Sequence, residues 1–399
     1  MKESEEKEEK LSVFCIFAAQ NNPTMLIYFL LLCCCFLISC DNNETTTVSN
    51  TTTKTVLRLH HANNFTIEKE GELTILSIKT AWKNAQDQFQ YVLYPKGSKA
   101  PKHYPKALKI PVPVERIICT STVDVAFLAF LDATDKIVAL SNGTYVYNKK
   151  VQDRLAQGAI ADIGGSNTID YETALTTNAD VALVYSIGDQ EAYQKFNEMG
   201  VPAILLSDFM EETPLGRAEW AVFVACLLGK EVEAQAKCAQ IAEKYQALKK
   251  KAASYTNQPT VLTGAVYKGT WYVAGGKSLM ASFIRDAGGH YLWAEDESLS
   301  GVPLDFEAVY AKGVNADRWI NTSNWTNKET LGASEPKYQA FKAFQEGQLY
   351  NYYKRVTENG GVDIFESAIV NPHLVLKDFV HLLHDEKLSS DSLYYYVQL

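Results

Sequence analysis

I-D-Y-E-T-A-L-T-T-N-A-D-V, residues 169–181, and L-D-F-E-A-V-Y-A-K-G-V-N-A-D-R, residues 304–318, follow one plan. Each runs from an apolar residue through Asp, an aromatic ring and Glu, then a short helical stretch, then Asn-Ala-Asp and a strand. Gly164 and Gly165 precede the first copy, and Gly301 precedes the second. Asp170 and Asp305 are natural helix N-caps, which puts Glu172 and Glu307 in the first turn. A carboxylate there stabilises a helix by a few tenths to about 1 kcal/mol. That accounts for each glutamate singly, but less well for the same residue at the same place in both copies. The repetition predicts two units of similar build.

Around the first copy, VERIICT (114–120), KIVALS (136–141), ADVALVYS (179–186) and VPAILLS (201–207) are short apolar runs of strand length. Helical stretches separate them: VDVAFLAFLDA with Thr122 as its N-cap, VQDRLAQG, and DQEAYQKFNEMG stopped by Gly200. Buried strands alternating with helices imply βαβ units and a mostly parallel sheet. The alternation restarts after Pro259 with TVLTGAVY, a turn at Lys268-Gly269, WYVAG, ADRWIN, a helix over KYQAFKAFQEG, and a final helix over 371–388. Between the halves lie one helix over 213–229 and a second over 230–255 without internal Gly or Pro. At 1.5 Å per residue the second spans roughly 35–40 Å, with Val232, Ala236, Ile241, Tyr245 and Leu248 as its buried stripe. A rod of that length reaches across a domain.

Residues 56–98 alternate in places, as in LTILSIK and FQYVLY, around a turn at Gly71-Glu72, and read as an N-terminal β-hairpin extension. KGSKAPKHYPKALKIPVP (96–113) reads as a linker. The resulting plan is a signal peptide over 1–39, a polar tether over 40–55, the β extension and linker over 56–113, an α/β lobe over 114–229, a bridging helix over 230–256 and a second α/β lobe over 257–390.

The chain has 399 residues, 47% hydrophobic and 21% charged, which suits a globular protein of two ordinary domains. Net charge is -9, with no basic stripe, which argues against a nucleic-acid partner. The apolar run Met25 to Ile38 is short for a spanning helix, which needs about 20 residues, and fits the core of a signal peptide. It leads through Ser39 to Cys40 and then DNNETTTVSNTTTKT, a threonine-rich stretch that cannot bury a core. Three cysteines, Cys119, Cys226 and Cys238, lie in the body without CxxC spacing, so neither zinc nor a redox pair is suggested.

The run ending at Leu37-Ile38-Ser39-Cys40 resembles the bacterial lipobox, which implies lipidation of Cys40. The body, over about 114–388, resembles the class III substrate-binding proteins of ABC importers. The segments that carry the likeness are ERIICTSTVDVAFLAFLDATDKIVALS, IDYETALTTNADVAL, TPLGRAEWAVFVACLLGKEVEA, GGKSLMASFIRDAGG, LDFEAVYAKGVNAD and NPHLVLKDFVHLLH, in that order. The resemblance implies two Rossmann-like α/β lobes joined by one long helix, and a ligand among iron–siderophore chelates, haem and cobalamin. It also implies that Glu172 and Glu307 dock the membrane permease, which works with an ATPase subunit.

In open α/β sheets a ligand sits beyond the carboxyl ends of the strands. Read that way, the rim carries Tyr145, Tyr147, Tyr185, Trp271, Tyr272 and Trp325, flat rings suited to a large conjugated ligand. Arg217 and Arg355 are cationic candidates for an anionic chelate, although Arg217 also suits a structural role at the lobe junction. GGKS (275–278) is not a P-loop, since Trp271 stands where the first glycine belongs, and Ser278 reads as an N-cap. The seven histidines form no metal constellation, and no cofactor is expected. The sequence therefore points to a monomeric, lipid-anchored, envelope binding protein that delivers an iron chelate or a corrinoid to an ABC permease. An envelope hydrolase on the same scaffold, or a sensor without a transporter, are the other classes; no nucleophile–base pair favours the hydrolase.

Overall fold

The structure, a computed structural model, describes residues 54–165, 168–188, 190–384 and 393–399. Cys40, the signal-peptide stretch 1–39 and nearly all of the 40–55 tether lie outside the described residues. Two five-stranded sheets carry the molecule's two α/β halves. The first is all parallel, in the spatial order Ala203–Leu205, Val181–Val184, Ile117–Cys119, Ile137–Leu140 and Ala161–Asp162. Val181 to Val184 are all fully buried, as a strand covered on both faces must be. The second sheet runs His290–Tyr291, Thr260–Thr263, Arg318–Ile320, Leu349–Asn351 and Val397–Gln398, parallel except for the last pair. In both, the earliest strand is internal, and its neighbour on one side is the strand of the sequence repeat.

The repeat owes its Asn-Ala-Asp to this pairing. The Asp180 N–H donates to the Arg116 carbonyl at 2.8 Å, while its carboxylate accepts the N–H groups of Glu115 and Arg116 at 2.6 and 3.1 Å. In the second half the Asp317 N–H donates to the Thr260 carbonyl at 3.1 Å, and its carboxylate accepts the Thr260 N–H and hydroxyl at 2.8 and 2.7 Å. Each aspartate thus pins the start of the neighbouring parallel strand. Asp170 and Asp305 cap the repeat helices Tyr171–Thr176 and Phe306–Gly313, accepting the N–H of Thr173 and Ala308.

Helices Pro214–Leu228 and Glu231–Ala252 join the halves through Gly229, whose φ of 68° is the left-handed conformation glycine tolerates. The second helix places Ala234 in the first core and Ile241, Tyr245 and Ala252 in the second. Lys230 and Lys237 bond the carbonyls of Leu131 and Phe130 in the first half. Tyr245 and Lys249 bond Asp286 in the second, at 2.9 and 2.8 Å. Val232, expected on the buried stripe, is 77% exposed, because the stripe starts at Ala234.

The N-terminal extension is larger than a hairpin. Phe65–Glu70 and Leu73–Ile78 pair across Gly71 within a sheet that also holds Lys54–Val56, Phe89–Pro95 and Leu108–Val112. The last strand lies inside the expected linker; at the sheet edge, Pro111 has no ladder N–H to miss. This sheet packs into the first core, with Phe65 against Trp220 and Phe223 at 4.8 and 5.3 Å. Glu219 accepts the N–H groups of His60, His61 and Ala62, and Glu211 those of Asn63 and Asn64. Gly216 is needed beneath that loop, since a Cβ there would lie 2.9 Å from the His61 carbonyl.

Three local expectations shift. Ser121, not Thr122, caps helix Thr122–Phe130, because Asp124 three residues on closes a reciprocal capping box with it. KYQAFKAFQEG is not one helix: buried Phe341 adopts extended backbone between turn Pro336–Ala340 and the single turn Lys342–Gln345. The second sheet extends past residue 390, with Asp378 accepting the N–H groups of Tyr394, Tyr395 and Tyr396 at 2.6, 2.6 and 3.1 Å. Cys119, Cys226 and Cys238 are free thiols.

Burial alone would raise the Asp317 carboxyl, but Lys342 and the Thr260 hydroxyl and amide hold it down at about 2. Asp317→Ala is expected to lower stability in urea unfolding by roughly 1–3 kcal/mol. Because the carboxyl sits below its ordinary 3.8, its contribution is full above that pH and fades as pH falls toward 2. An unchanged urea midpoint at neutral pH would show that the strand clamp contributes nothing.

Candidate functional site

In each parallel sheet the chain reverses direction of growth between the first strand and the strand of the repeat, and a crevice opens at their carboxyl ends. The two crevices contribute to one cavity of about 600 Å³. From the first half come Ser121 and Thr122, beyond strand Ile117–Cys119, and Tyr185, beyond Val181–Val184. The Tyr185 N–H donates to the Thr120 hydroxyl at 3.0 Å. From the second half come Asn321, beyond Arg318–Ile320, and Tyr352, beyond Leu349–Asn351. Asn142 and Asn321 both hold left-handed backbone at their strand ends, φ 58° and 59°. Met280 and Phe283 project from helix Leu279–Asp286, which Ser278 caps as expected. An adjoining cavity of about 440 Å³ shares Met280, Asn321, Tyr352 and Phe365 with the first, and adds Tyr267 and Tyr272.

The expected site residues divide. Tyr145, Tyr185 and Arg217 line the main cavity, and Tyr272 lines the adjoining one. Tyr147 and Arg355 line a separate polar cavity of about 1020 Å³. Trp271 reaches none of these: it is fully buried, stacked on Trp319 at 5.3 Å. Its strand, Thr270–Ala274, belongs to a separate antiparallel sheet with Val266–Tyr267 and Gly301–Leu304, so Trp271 is not at a parallel strand end. Period-two alternation then sends Trp271 and Val273 inward and Tyr272 outward. Trp325 is half-buried against the same aromatic core.

Met280, Phe283, Tyr352, Phe365 and Tyr396 were not anticipated as lining residues. Tyr352 was findable, since it directly follows strand Leu349–Asn351, but that strand is too short to stand out from periodicity. Met280 and Phe283 read only as the apolar side of a helix.

Both arginines are already paired. The Arg217 Nε donates to Asp208 at 2.6 Å, and Asp208 is 1% exposed. The Arg355 Nε donates to Asp363 at 2.6 Å, and its guanidinium lies 5.0 Å from the Tyr147 ring and 4.3 Å from that of Tyr394. The segment after Arg355 crosses from the second half to the first. Gly361 passes so close to the Tyr145 carbonyl that a Cβ would lie 2.4 Å from it. Glu366 accepts the N–H groups of Tyr147 and Asn148 at 2.7 and 2.9 Å, and Ile369 and Val370 join the first core. Turns Asp363–Phe365 and Ser367–Ile369 put Ile364, Phe365 and Ala368 on the main cavity and Asp363, Glu366 and Ser367 on the polar one. The segment is a strap between the halves and a wall between the cavities. Among the described residues no group of three or more His, Cys, Asp or Glu side chains could hold a metal ion.

A family model described as "periplasmic binding protein" matches residues 117–356. The chain belongs to the periplasmic binding protein family. An uncharacterised lipoprotein of Methanocaldococcus jannaschii is 24% identical over 300 residues, covering 72% of this chain and 70% of that one. An ABC transporter substrate-binding protein from Listeria monocytogenes superposes with a TM-score of 0.52 at 15% identity, covering 68% of this chain and 99% of the other. A periplasmic heme-binding protein from Pseudomonas aeruginosa gives 0.53 at 16% identity, covering 70% and 96%. The fold is that of the class III binding proteins.

Burial, with the nearby Asp363 charge, pushes the Glu366 carboxyl up to about 7 against the pull of the two amides. Its folded value exceeds the ordinary 4.5, so stability linked to the neutral carboxyl is full below that pH and is lost as pH rises through 7. Glu366→Gln cannot ionise. The melting temperature of the variant relative to the wild type is therefore expected to rise between pH 5 and pH 8; a difference independent of pH would contradict this.

Proposed function

We propose that this chain is the capture subunit of an ABC importer, taking an iron(III) chelate, haem or a corrinoid into the cavity between its two halves. The observation that carries the reading is the coincidence of a largely apolar, ring-lined cavity with both topological crevices of a binding-protein fold. Tyr145, Tyr185, Tyr272 and Arg217 keep their proposed ligand role, joined by Tyr352 and Phe365. Trp271, Trp325, Tyr147 and Arg355 are better placed to shape the walls. The protein acts as a monomer outside the cytoplasm, held to the membrane by lipid on Cys40; the lipoprotein relative supports that location.

Glu172 and Glu307 are both exposed, each in the first turn of its repeat helix. Glu307 has a loose partner in Lys337 at 3.5 Å, an ion pair exposed on both sides and easily exchanged for a permease arginine. We propose both as docking carboxylates. A hydrolase would need a nucleophile beside a base, whereas the Ser121 hydroxyl is used in capping and the described residues lining the cavity include no histidine.

Fluorescence-quenching titration with haem, cobalamin and several ferric siderophores is expected to show saturable binding of at least one, weakened about tenfold or more by Tyr352→Ala through loss of a buried ring. Binding of none would sink the reading. The double variant Glu172→Lys with Glu307→Lys is expected to bind ligand like the wild type and to lose uptake in cells. Normal uptake by that variant would remove the docking assignment and leave ligand capture standing.

A further inference from the structure

The cavity's polar lining is unusual in holding almost no available charge. Arg217 is the one charged side chain among the described residues that line the main cavity, and those lining the adjoining cavity include none. Asp208 answers Arg217 at 2.6 Å from a fully enclosed position. Asp124, also fully buried and within electrostatic reach of Asp208, accepts the N–H groups of Thr120 and Ser121 at 2.8 and 2.9 Å, and burial pushes its carboxyl up to about 8. The floor therefore has no surplus of positive charge. Arg355 is no substitute: it lies on the far side of the strap, paired with Asp363 and covered by Tyr147 and Tyr394. Lys268 lies over the Tyr267 ring at 5.3 Å, on the exposed turn at the edge of the adjoining cavity.

What the lining does offer is neutral. Its polar side chains, Ser121, Thr122, Asn142, Asn321 and the tyrosines, are neutral, and several already bond within the protein: Ser121 accepts the Val123 N–H, Thr122 donates to the Phe365 carbonyl and the Tyr396 hydroxyl donates to Asn321. The remaining wall, from Val123, Leu279, Met280 and Phe283 to Ile364 and Val375, is apolar. A polyanion entering such a space would shed hydration and, among the described lining residues, meet a single cation already ion-paired with Asp208, a net penalty. A conjugated or apolar body with an amide or hydroxyl rim would replace its water contacts one for one.

We infer that the cleft selects a ligand whose enclosed part is uncharged: a large conjugated or apolar body rimmed by amides or hydroxyls, with any carboxylates left at the mouth. This rests on the proposed reading of the cavity as the ligand site. It also departs from the expectation that Arg217 and Arg355 are cationic candidates for an anionic chelate.

The test uses the wild-type protein and two matched comparisons by fluorescence quenching. Cyanocobalamin, uncharged and amide-rimmed, is compared with a trianionic ferric tris-catecholate; haem is compared with its dimethyl ester. Expected are a preference of about tenfold or more for cyanocobalamin over the trianion, and haem and ester affinities within about threefold, with little change between about 0.05 and 0.5 M NaCl. A trianion that binds as tightly as the neutral macrocycle, or an ester that loses more than about tenfold, overturns the inference while capture of these ligands still stands. If no probe binds, the reading of the cavity itself fails. Asp208→Asn, checked for folding by its melting curve, frees the Arg217 charge and is expected to shift selectivity toward the trianion about tenfold. An unshifted ratio in a folded variant would show that the Arg217–Asp208 pair does not set the preference.

Discussion

Parallel strands can be joined only by crossovers, and a crossover returns every strand in the same direction. All the carboxyl ends of a parallel sheet therefore lie along one edge. In this protein that constraint is applied twice, and each time one aspartate, Asp180 or Asp317, ties the repeat strand to the first strand of its sheet. The pairing it secures is the one that places a crevice between those two strands. Ser121, Tyr185 and Asn321 reach the cavity because those strand ends fall there, and helix Leu279–Asp286 and the strap complete its walls.

Two crevices make one site only if they are held toward each other. Helix Glu231–Ala252 does this by entering both cores and by hydrogen bonding to each half at its opposite ends. The strap of residues 361–370 ties them a second time, with Glu366 on the amides of Tyr147 and Asn148 and with Ile369 and Val370 in the first core. These connections differ in chemistry. The helix contributes apolar burial and hydrogen bonds at both ends, whereas the strap includes a carboxyl that burial pushes up to about 7.

Much of the architecture was legible in one dimension. The paired 169–181 and 304–318 segments, their Asp170 and Asp305 caps, the Gly229 stop and the uninterrupted stretch beyond it all announce themselves through local chemistry and period. The site was legible where it lay at a recognisable strand end, as for Tyr145 and Tyr185. Trp271 was misplaced because an aromatic next to a turn looks the same whether its strand is parallel and central or part of a hairpin; Lys268 and Gly269, with φ of 50° and 83°, make it a hairpin. Leu108–Val112 was hidden by flanking prolines and lysines that an edge strand tolerates.

By itself, then, the sequence determined the α/β class, the two-part plan and the repeated helix starts, since each rests on the spacing of side chains along a single element. Only the tertiary structure decided the electrostatic character of the cleft. The sequence offered Arg217 and Arg355 as cationic candidates, Arg217 with a structural role at the lobe junction as its other reading, and each is answered by a buried aspartate. Whether a charge is free depends on which groups folding encloses beside it, and no periodicity records that. The strap shows the same limit at longer range: Glu366 and Tyr147 meet across 219 positions, because the return of the chain to the first half is a matter of packing rather than pattern.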